Sequence, residues 1–203
     1  MARPGPADPR VARWSRLHHG LDPAAVPFVS GWLRFVWWSA RPLRGVSPTA
    51  ITASGVLLAA CAAWLAGPVP AIAAALVVLA AVCDSLDGAV AVLADRATRF
   101  GARADAVADR VSDVLFAVVL WRCGAPWWAA VVAGALAVAV DLTRRVRRVP
   151  ARITVAERPT FTICASLACV CAAVTSATWP AAVCVGVWCA AGLVGLTQVL
   201  RRR

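Results

Sequence analysis

The sequence predicts an all-α integral membrane protein with six transmembrane helices, preceded by an N-terminal amphipathic helix at the membrane interface. Hydrophobic residues make up 61% of the 203-residue chain, against roughly 45–50% in soluble domains. Apolar stretches of near-spanning length recur along the sequence, and a helix needs about 20 residues to cross a bilayer. These observations disfavour a soluble enzyme and predict one membrane domain.

The N-terminal region differs in composition from the rest of the chain. Residues 1–23 are rich in proline and arginine and lack the apolar core of a signal peptide. We expect a flexible cytoplasmic tail there, followed by a membrane domain over residues 24–203. From Ala24 to Arg41, aromatic residues such as Trp32 alternate with arginines over a stretch too short to span. This pattern predicts the interfacial amphipathic helix.

Six later segments have the length and composition of membrane spans, and an even number of spans puts both chain ends on one side. One set of connecting loops contains a single arginine, whereas the other set is rich in arginine. Cytoplasmic loops carry the excess of basic residues, so the arginine-rich side is predicted to be cytoplasmic. The predicted spans are Ile51–Ala66, Ala71–Leu93, Ala104–Trp121, Pro126–Leu142, Pro159–Ala177 and Trp179–Leu200.

All 21 basic residues are arginines, and the formal net charge is +11. The absence of lysine and the abundance of alanine and valine are typical of a GC-rich bacterial genome. The arginines cluster in short loops beside apolar spans, which is the pattern of membrane topology and not of a nucleic-acid surface. We therefore predict a multi-pass protein of the bacterial inner membrane with no nucleic-acid partner.

Four aspartates interrupt the apolar sequence between residues 84 and 109. Charged side chains within spans cost a few kcal/mol each and mark functional sites. Asp84 and Asp87 are three residues apart on one predicted helix, and Asp105 and Asp109 are four apart on the next, so each pair shares a helix face. If the two helices are antiparallel, the four carboxylates converge near the cytoplasmic surface. Oxygen ligands favour magnesium, calcium or manganese over zinc, so a divalent-cation site open to the cytoplasm is predicted.

Two neighbouring features each admit two interpretations. Asp113 continues the face of Asp109 by one more helical turn. It is either an outer ligand or acceptor contact, or a buried carboxylate paired with Arg110. The arginine-rich loop between the fourth and fifth spans either binds phosphate or only sets the topology.

The aspartate segment resembles the CDP-alcohol phosphotransferases, also called CDP-alcohol phosphatidyltransferases. The signature of that family is D-x2-D-G-x2-A-R, about eight residues, and G-x3-D-x3-D. Residues 47–52 also resemble the family's entry to the first span, and Ala156–Arg158 resembles an element of members with phosphorylated acceptors. Val92 stands where the family usually has arginine, and Thr49 where it often has asparagine. The residues that match the signature are Asp84, Asp87, Gly88, Ala91, Gly101, Asp105 and Asp109.

The resemblance implies an enzyme of phospholipid biosynthesis. Such an enzyme uses Mg²⁺ or Mn²⁺ to transfer a phosphatidyl group from a CDP-linked lipid, such as CDP-diacylglycerol, to an acceptor alcohol, and it releases CMP. Glycerol 3-phosphate and inositol phosphate are candidate acceptors, and a homodimer is a candidate assembly. By the same resemblance, the metal ligands are Asp84, Asp87, Asp105 and Asp109, with Asp109 also the general base, and the nucleotide contacts are Gly88, Ala91 and Gly101. The candidate acceptor or phosphate contacts are Arg96, one helical turn beyond Val92, and Arg144, Arg145 and Arg158 of the arginine-rich loop.

Two other functions remain open at this point. Val92 in place of the family arginine raises the alternative of a catalytically degenerate member that binds nucleotide or lipid. The acids alone would also suit a cation transporter, which predicts ion flux without any CDP-linked lipid. Gly88 disfavours the transporter, because a permeation site needs no such glycine.

Overall fold

The computed structural model describes residues 27–96, 98–147, 158–175 and 177–201. Within these ranges the protein is all-helical, as predicted, and no strand occurs. The predicted tail, residues 1–23, lies outside the described residues. The α-helices are α1 (Pro27–Ala40), α2 (Pro48–Leu65), α3 (Pro70–Leu93), α4 (Arg99–Arg122), α5 (Trp127–Arg147), α6 (Arg158–Val174) and α7 (Trp179–Arg201), and a short 3₁₀ helix (Pro42–Gly45) follows α1.

Proline and capping residues in the sequence fix where several helices begin. Pro48 and Pro70 occupy the first positions of α2 and α3, where a missing backbone N–H costs nothing and the fixed φ suits a helix. The hydroxyl of Thr98 accepts a hydrogen bond from the backbone N–H of Gly101 at 3.0 Å and caps α4. Between α4 and α5, Gly124 has a φ of +106°, which a side chain would strain.

The helices pack through small residues. Helix α2 packs against α3 and α4, α6 packs against α3, α4 and α7, and α5 packs against α4 and α7. The buried core consists largely of alanine, with Phe161 stacked on Trp188 at a centroid distance of 4.3 Å. A Cβ added to Gly55 would lie 3.2 Å from the Cβ of Cys83, so this glycine allows α2 and α3 to approach closely. Small residues at helix interfaces are typical of membrane bundles.

Four of the described helices are long and apolar enough to cross a membrane: Pro48–Leu65, Pro70–Leu93, Trp127–Arg144 and Trp179–Arg201. They correspond to the first, second, fourth and sixth predicted spans. Helix α6, at 17 residues, is a shorter apolar helix, and α4 carries several charged residues in its first half. The six-span count therefore stays a prediction for α4 and α6.

The predicted interfacial segment contains the helix α1. Its Val36 and Ala40 are buried in a small cluster with Ile51 and residues of α3. The aromatic side chains of Trp32, Phe35 and Trp38 are exposed, with Trp38 at 68%. An apolar anchor on α3 and exposed tryptophans are compatible with a membrane interface, and the interfacial placement itself stays a prediction.

Candidate metal and phosphate site

The four predicted acids come from α3 and α4, which do not pack extensively against each other. Both helices instead pack against α2 and α6, which hold them on two sides of a gap. The expectation of two acid-bearing helices is met, but they are not direct packing partners as an antiparallel hairpin would be. The carboxylates face each other across this gap, so the site has room that close helix packing would have filled.

Three of the four predicted acids come together in this gap. Carboxylate oxygens of Asp84, Asp105 and Asp109 all lie within 4.8 Å of one another. The side chains of Asp84 and Asp109 are 32% and 24% exposed, so solvent and ions can reach them. Like charges at this separation repel each other, and a shared cation is the usual compensation.

The fourth acid, Asp87, is not in that group of three and is 5% exposed. Its Oδ2 accepts a hydrogen bond from the hydroxyl of Thr52 at 2.5 Å. Thr52 lies on α2, and a backbone carbonyl of the same helix, that of Pro48, lies 3.1 Å from its oxygen. A hydroxyl donates only one proton, so the nearer carboxylate is its favoured acceptor. Thr52 therefore holds Asp87 at the edge of the site.

Arg158 supplies positive charge inside the acid site. Its Nη1 donates to Oδ1 of Asp84 and to Oδ1 of Asp109, so one guanidinium nitrogen bridges α3 and α4. The side chain of Arg158 is 22% exposed. It is the first residue of α6, the helix that packs on both acid-bearing helices. The contact uses two of the three clustered acids.

A second arginine lies behind the site. Nη1 of Arg110 is 2.9 Å from Oδ2 of Asp113, which is fully buried. The predicted pairing of these two residues is therefore present. Asp113 has no hydrogen-bond partner among the described residues, so its described compensation is the charge of Arg110. The other Nη atom of Arg110 lies 3.9 Å from Oδ2 of Asp109, which links the pair to the site.

A small pocket opens among these side chains. It is lined by Thr52, Gly55, Val56, Ala80, Asp84, Asp87, Ala108, Asp109, Ser112 and Arg158, with a volume of about 10 Å³. A volume of this size admits about one water molecule or ion. The pocket therefore lies beside the acids at a scale that suits a cation.

The residues predicted to contact a nucleotide lie near the acids on the same two helices. Gly88 is exposed on α3, and a Cβ built on it would meet nothing within 4 Å. Ala91 is half-buried one turn further on. A Cβ on Gly101 would lie 3.2 Å from the Thr98 hydroxyl that caps α4. A side chain at residue 101 would thus crowd the capping hydroxyl, whereas one at residue 88 would extend into open space.

The remaining predicted arginines differ in position. Arg96 lies after the end of α3 with an exposed side chain, and no described ion pair joins it to the site acids. Arg144 is half-buried near the end of α5. Arg145 lies in the same helix, and its side chain is outside the described part of the chain. Val92 is half-buried on α3. Among these four candidates, Arg158 has described contacts with the acids, to Asp84 and Asp109.

The family model of the CDP-alcohol phosphatidyltransferases matches residues 45–194, which is most of the chain and includes every helix of the site. The chain belongs to the CDP-alcohol phosphatidyltransferase family. This family is a class of membrane phosphotransferases that use CDP-alcohol donors and alcohol acceptors and generally depend on a metal. Comparisons with curated proteins and with solved structures give no match.

Two features of the site were not predicted from the sequence. The sequence places Thr52 only in the segment that enters α2, and it predicts Arg158 as an acceptor or phosphate contact and not as a partner of the acids. Both contacts join distant parts of the chain, 35 residues apart for Thr52 and Asp87 and 74 for Arg158 and Asp84. The signal that could have found Arg158 is the charge imbalance of four acids in an apolar environment, which calls for a cation nearby.

Proposed function

We propose that this protein is an enzyme of phospholipid biosynthesis that transfers a phosphatidyl group from a CDP-linked lipid, such as CDP-diacylglycerol, to an acceptor alcohol and releases CMP. The observation that carries the proposal is the cluster of Asp84, Asp105 and Asp109 oxygens within 4.8 Å of one another. The cluster lies within the segment that matches the family. A lipid diphosphate has an apolar tail and a charged head, and an acid site among apolar helices suits both.

The donor set fits a hard divalent cation, and Mg²⁺ or Mn²⁺ is proposed. All the clustered atoms are carboxylate oxygens, which suit these ions better than softer metals. Asp84, Asp105 and Asp109 would hold the ion, and Asp87 would complete the set from its position beside Thr52. A bound ion would supply charge neutralisation of the diphosphate and make CMP a better leaving group.

The chain's own residues would carry the proton and position the substrates. Asp109 would accept the proton of the acceptor hydroxyl as general base. The acceptor oxygen would then form a bond to the lipid-side phosphorus, and the bond from that phosphorus to the CMP oxygen would break. The missing side chain of Gly88, whose Cβ position is open, would let the nucleotide approach α3, with Ala91 and Gly101 beside it.

Arg158 supports an acceptor that carries phosphate. An arginine within the acid site offers a planar fork of donors that suits phosphate oxygens. Glycerol 3-phosphate and inositol phosphate are therefore the favoured acceptors, with Arg96, Arg144 and Arg145 as further phosphate contacts. The proposed setting is the bacterial inner membrane, with α4 and α6 as the remaining two spans and the site open to the cytoplasm. A homodimer stays a prediction.

The test is an assay of the purified protein in lipid nanodiscs with labelled CDP-diacylglycerol, Mg²⁺ or Mn²⁺, and a panel of acceptors. We expect metal-dependent release of CMP with formation of a new labelled lipid. Asp109→Asn should abolish both products while the protein stays folded. The matched control is Asp95→Asn, because Asp95 is exposed with a φ of +53°, a conformation that asparagine tolerates well.

Three results would contradict the proposal. Absence of CMP release with every acceptor would favour the degenerate member that Val92 suggests. Cation flux through vesicles in the absence of CDP-linked lipid would favour a transporter. Full activity of Asp109→Asn would remove the general-base role from Asp109.

A further inference from the structure

We infer that Arg158 is the resident counter-cation of the acid site, and that a divalent cation displaces its guanidinium and so makes it available to a phosphate-bearing ligand. The inference rests on the proposed function in one respect, the binding of a divalent cation at the acids. It goes beyond that function because it couples the cation and the phosphate through one side chain.

The guanidinium of Arg158 lies between two of the acids. A single nitrogen, Nη1 of Arg158, donates to one oxygen of Asp84 and one of Asp109. Those two residues also belong to the group of three acids whose oxygens could share a cation. The guanidinium therefore occupies the space between two of the proposed ligands. It does so as a positive charge, as the proposed metal would.

A divalent metal ion and the guanidinium of Arg158 cannot share these oxygens without cost. Mg²⁺ binds oxygen ligands at about 2.0–2.1 Å, whereas a charge-assisted N–H···O bond spans about 2.7–2.9 Å. A metal ion between Asp84 and Asp109 would thus lie where the nitrogen now lies. Two positive charges at such short range also repel each other strongly. Metal binding therefore requires the guanidinium to leave.

The side chain of Arg158 can leave the acids without a change of fold. Its backbone is the first residue of α6, which is held by packing against α3, α4 and α7. The side chain is 22% exposed, and arginine reaches its head group through a flexible stem. Rotation of the side chain toward the open side of the site is sufficient. The released guanidinium would still lie next to the acids, where the phosphate of a ligand would arrive.

The consequence is a coupling between two ligands. If the cation must displace Arg158, and the phosphate must bind Arg158, then each ligand favours the other, and by linkage the effect is reciprocal. The metal-free protein would also be protected from the repulsion among its own acids. A purely structural role for Arg158, as a tie between α3, α4 and α6, predicts the reverse: its removal would disorder the acids and weaken metal binding.

The first experiment measures Mn²⁺ affinity of the full chain in nanodiscs from the electron paramagnetic resonance signal of free Mn²⁺. We expect Arg158→Ala to tighten Mn²⁺ binding by about tenfold, which is within the usual range of coupling between sites. Arg147→Ala is the matched control, because Arg147 is also an arginine with a described hydrogen bond, to the carbonyl of Leu200 at 2.8 Å, on an exposed part of α5. It should change the affinity less than twofold. An unchanged or weaker affinity in Arg158→Ala would overturn the inference.

The second experiment uses the wild-type protein, so that it does not depend on the folding of a variant. Phenylglyoxal modifies accessible arginines, and mass spectrometry reports the rate of modification at each one. We expect Mn²⁺ to speed modification of Arg158 severalfold, and methyl phosphate added with Mn²⁺ to slow it again, while Arg147 changes in neither case. Equal rates at Arg158 with and without bound Mn²⁺ would overturn the displacement, and lack of protection by methyl phosphate would overturn the phosphate role.

These outcomes separate the inference from the proposed function. Mn²⁺ binding that leaves the rate of Arg158 modification unchanged would refute displacement, and it would not contradict metal-dependent CMP release. Faster modification of Arg158 in a protein that releases no CMP would support displacement and refute the enzyme. Failure of Mn²⁺ to bind at all would contradict both.

Discussion

The hydrogen bond from Thr52 to Asp87 gives a quantitative test of how the site is held together. Thr52→Val keeps the shape of the side chain and removes the one donor that the hydroxyl provides. Asp87 is 5% exposed and accepts this bond at 2.5 Å. We expect the variant to fold less stably because a buried carboxylate loses a partner.

The size of the effect follows from the type of bond. Hydrogen bonds to charged groups contribute about 1.5–3 kcal/mol, and a buried acceptor left without its donor is costly. Thr52 is itself only half-buried, so we take the middle of that range, about 2 kcal/mol. Because about 1.4 kcal/mol is a factor of ten, the equilibrium constant for unfolding should rise roughly thirtyfold.

The assay is equilibrium unfolding in mixed detergent micelles with a chelator present, so that no metal holds the acids. Thr143→Val is the matched control, because Thr143 is also half-buried and donates to the carbonyl four residues earlier, at 2.7 Å. It should cost less than about 0.5 kcal/mol, since that carbonyl keeps its helical bond. In the background of Asp87→Asn the cost of Thr52→Val should shrink, as a double-mutant cycle would show. Equal losses at residues 52 and 143, or no coupling to Asp87, would refute the reasoning.

Two further predictions concern glycine and buried charge. Gly88→Ala should leave stability unchanged or raise it by up to about 1 kcal/mol, because the added Cβ meets nothing within 4 Å. The same variant should lower CMP release at least tenfold. Gly124→Ala should destabilise the protein, because φ is +106° and Thr178 lies 2.7 Å from the added Cβ. Normal CMP release in Gly88→Ala would remove the nucleotide role from this residue. Arg110→Leu should lower the free energy of unfolding by about 3 kcal/mol in the same assay, because it leaves the buried Asp113 without its ion-pair partner. Adding Asp113→Leu should recover most of that loss. Wild-type stability in Arg110→Leu alone would show that the pair contributes nothing.

The helices were predictable because their signals are local. Apolar runs of near-spanning length, and prolines such as Pro48 and Pro70 at the helix starts, fix the elements to within a few residues. The sixth predicted span, Trp179–Leu200, differs from the helix Trp179–Arg201 by one residue. The charges in α4 include the two acids Asp105 and Asp109 of the predicted site, and they obscure that helix as a span by composition. The same residues that identify the site thus weaken the membrane signal of the helix that carries them.

The contacts that shape the site were not predictable in the same way. The spacing of Asp105 and Asp109 places both on one face of a helix, but it does not say which residue of another helix meets that face. Arg158 is 49 residues from Asp109, and its approach depends on how α6 packs against α3 and α4. Likewise, helical spacing put Asp87 on the face of Asp84, whereas a donor on α2 holds it at the edge of the group. Local periodicity determines a face, and tertiary packing determines the partner.

The charges at the site account for an arginine among the acids and support the proposed metal. Among the side chains described at the site, five carboxylates, those of Asp84, Asp87, Asp105, Asp109 and Asp113, accompany two guanidiniums, those of Arg110 and Arg158. The arginines leave a formal excess of negative charge, and they lie nearest to three of the acids, Asp84, Asp109 and Asp113. This is enough compensation for an apolar bundle to fold around the acids, because partial pairing lowers the cost of burying them. The negative charge that remains still attracts a divalent ion. If a metal displaces Arg158 as we infer, the flexible stem of this arginine lets its charge leave when the metal arrives.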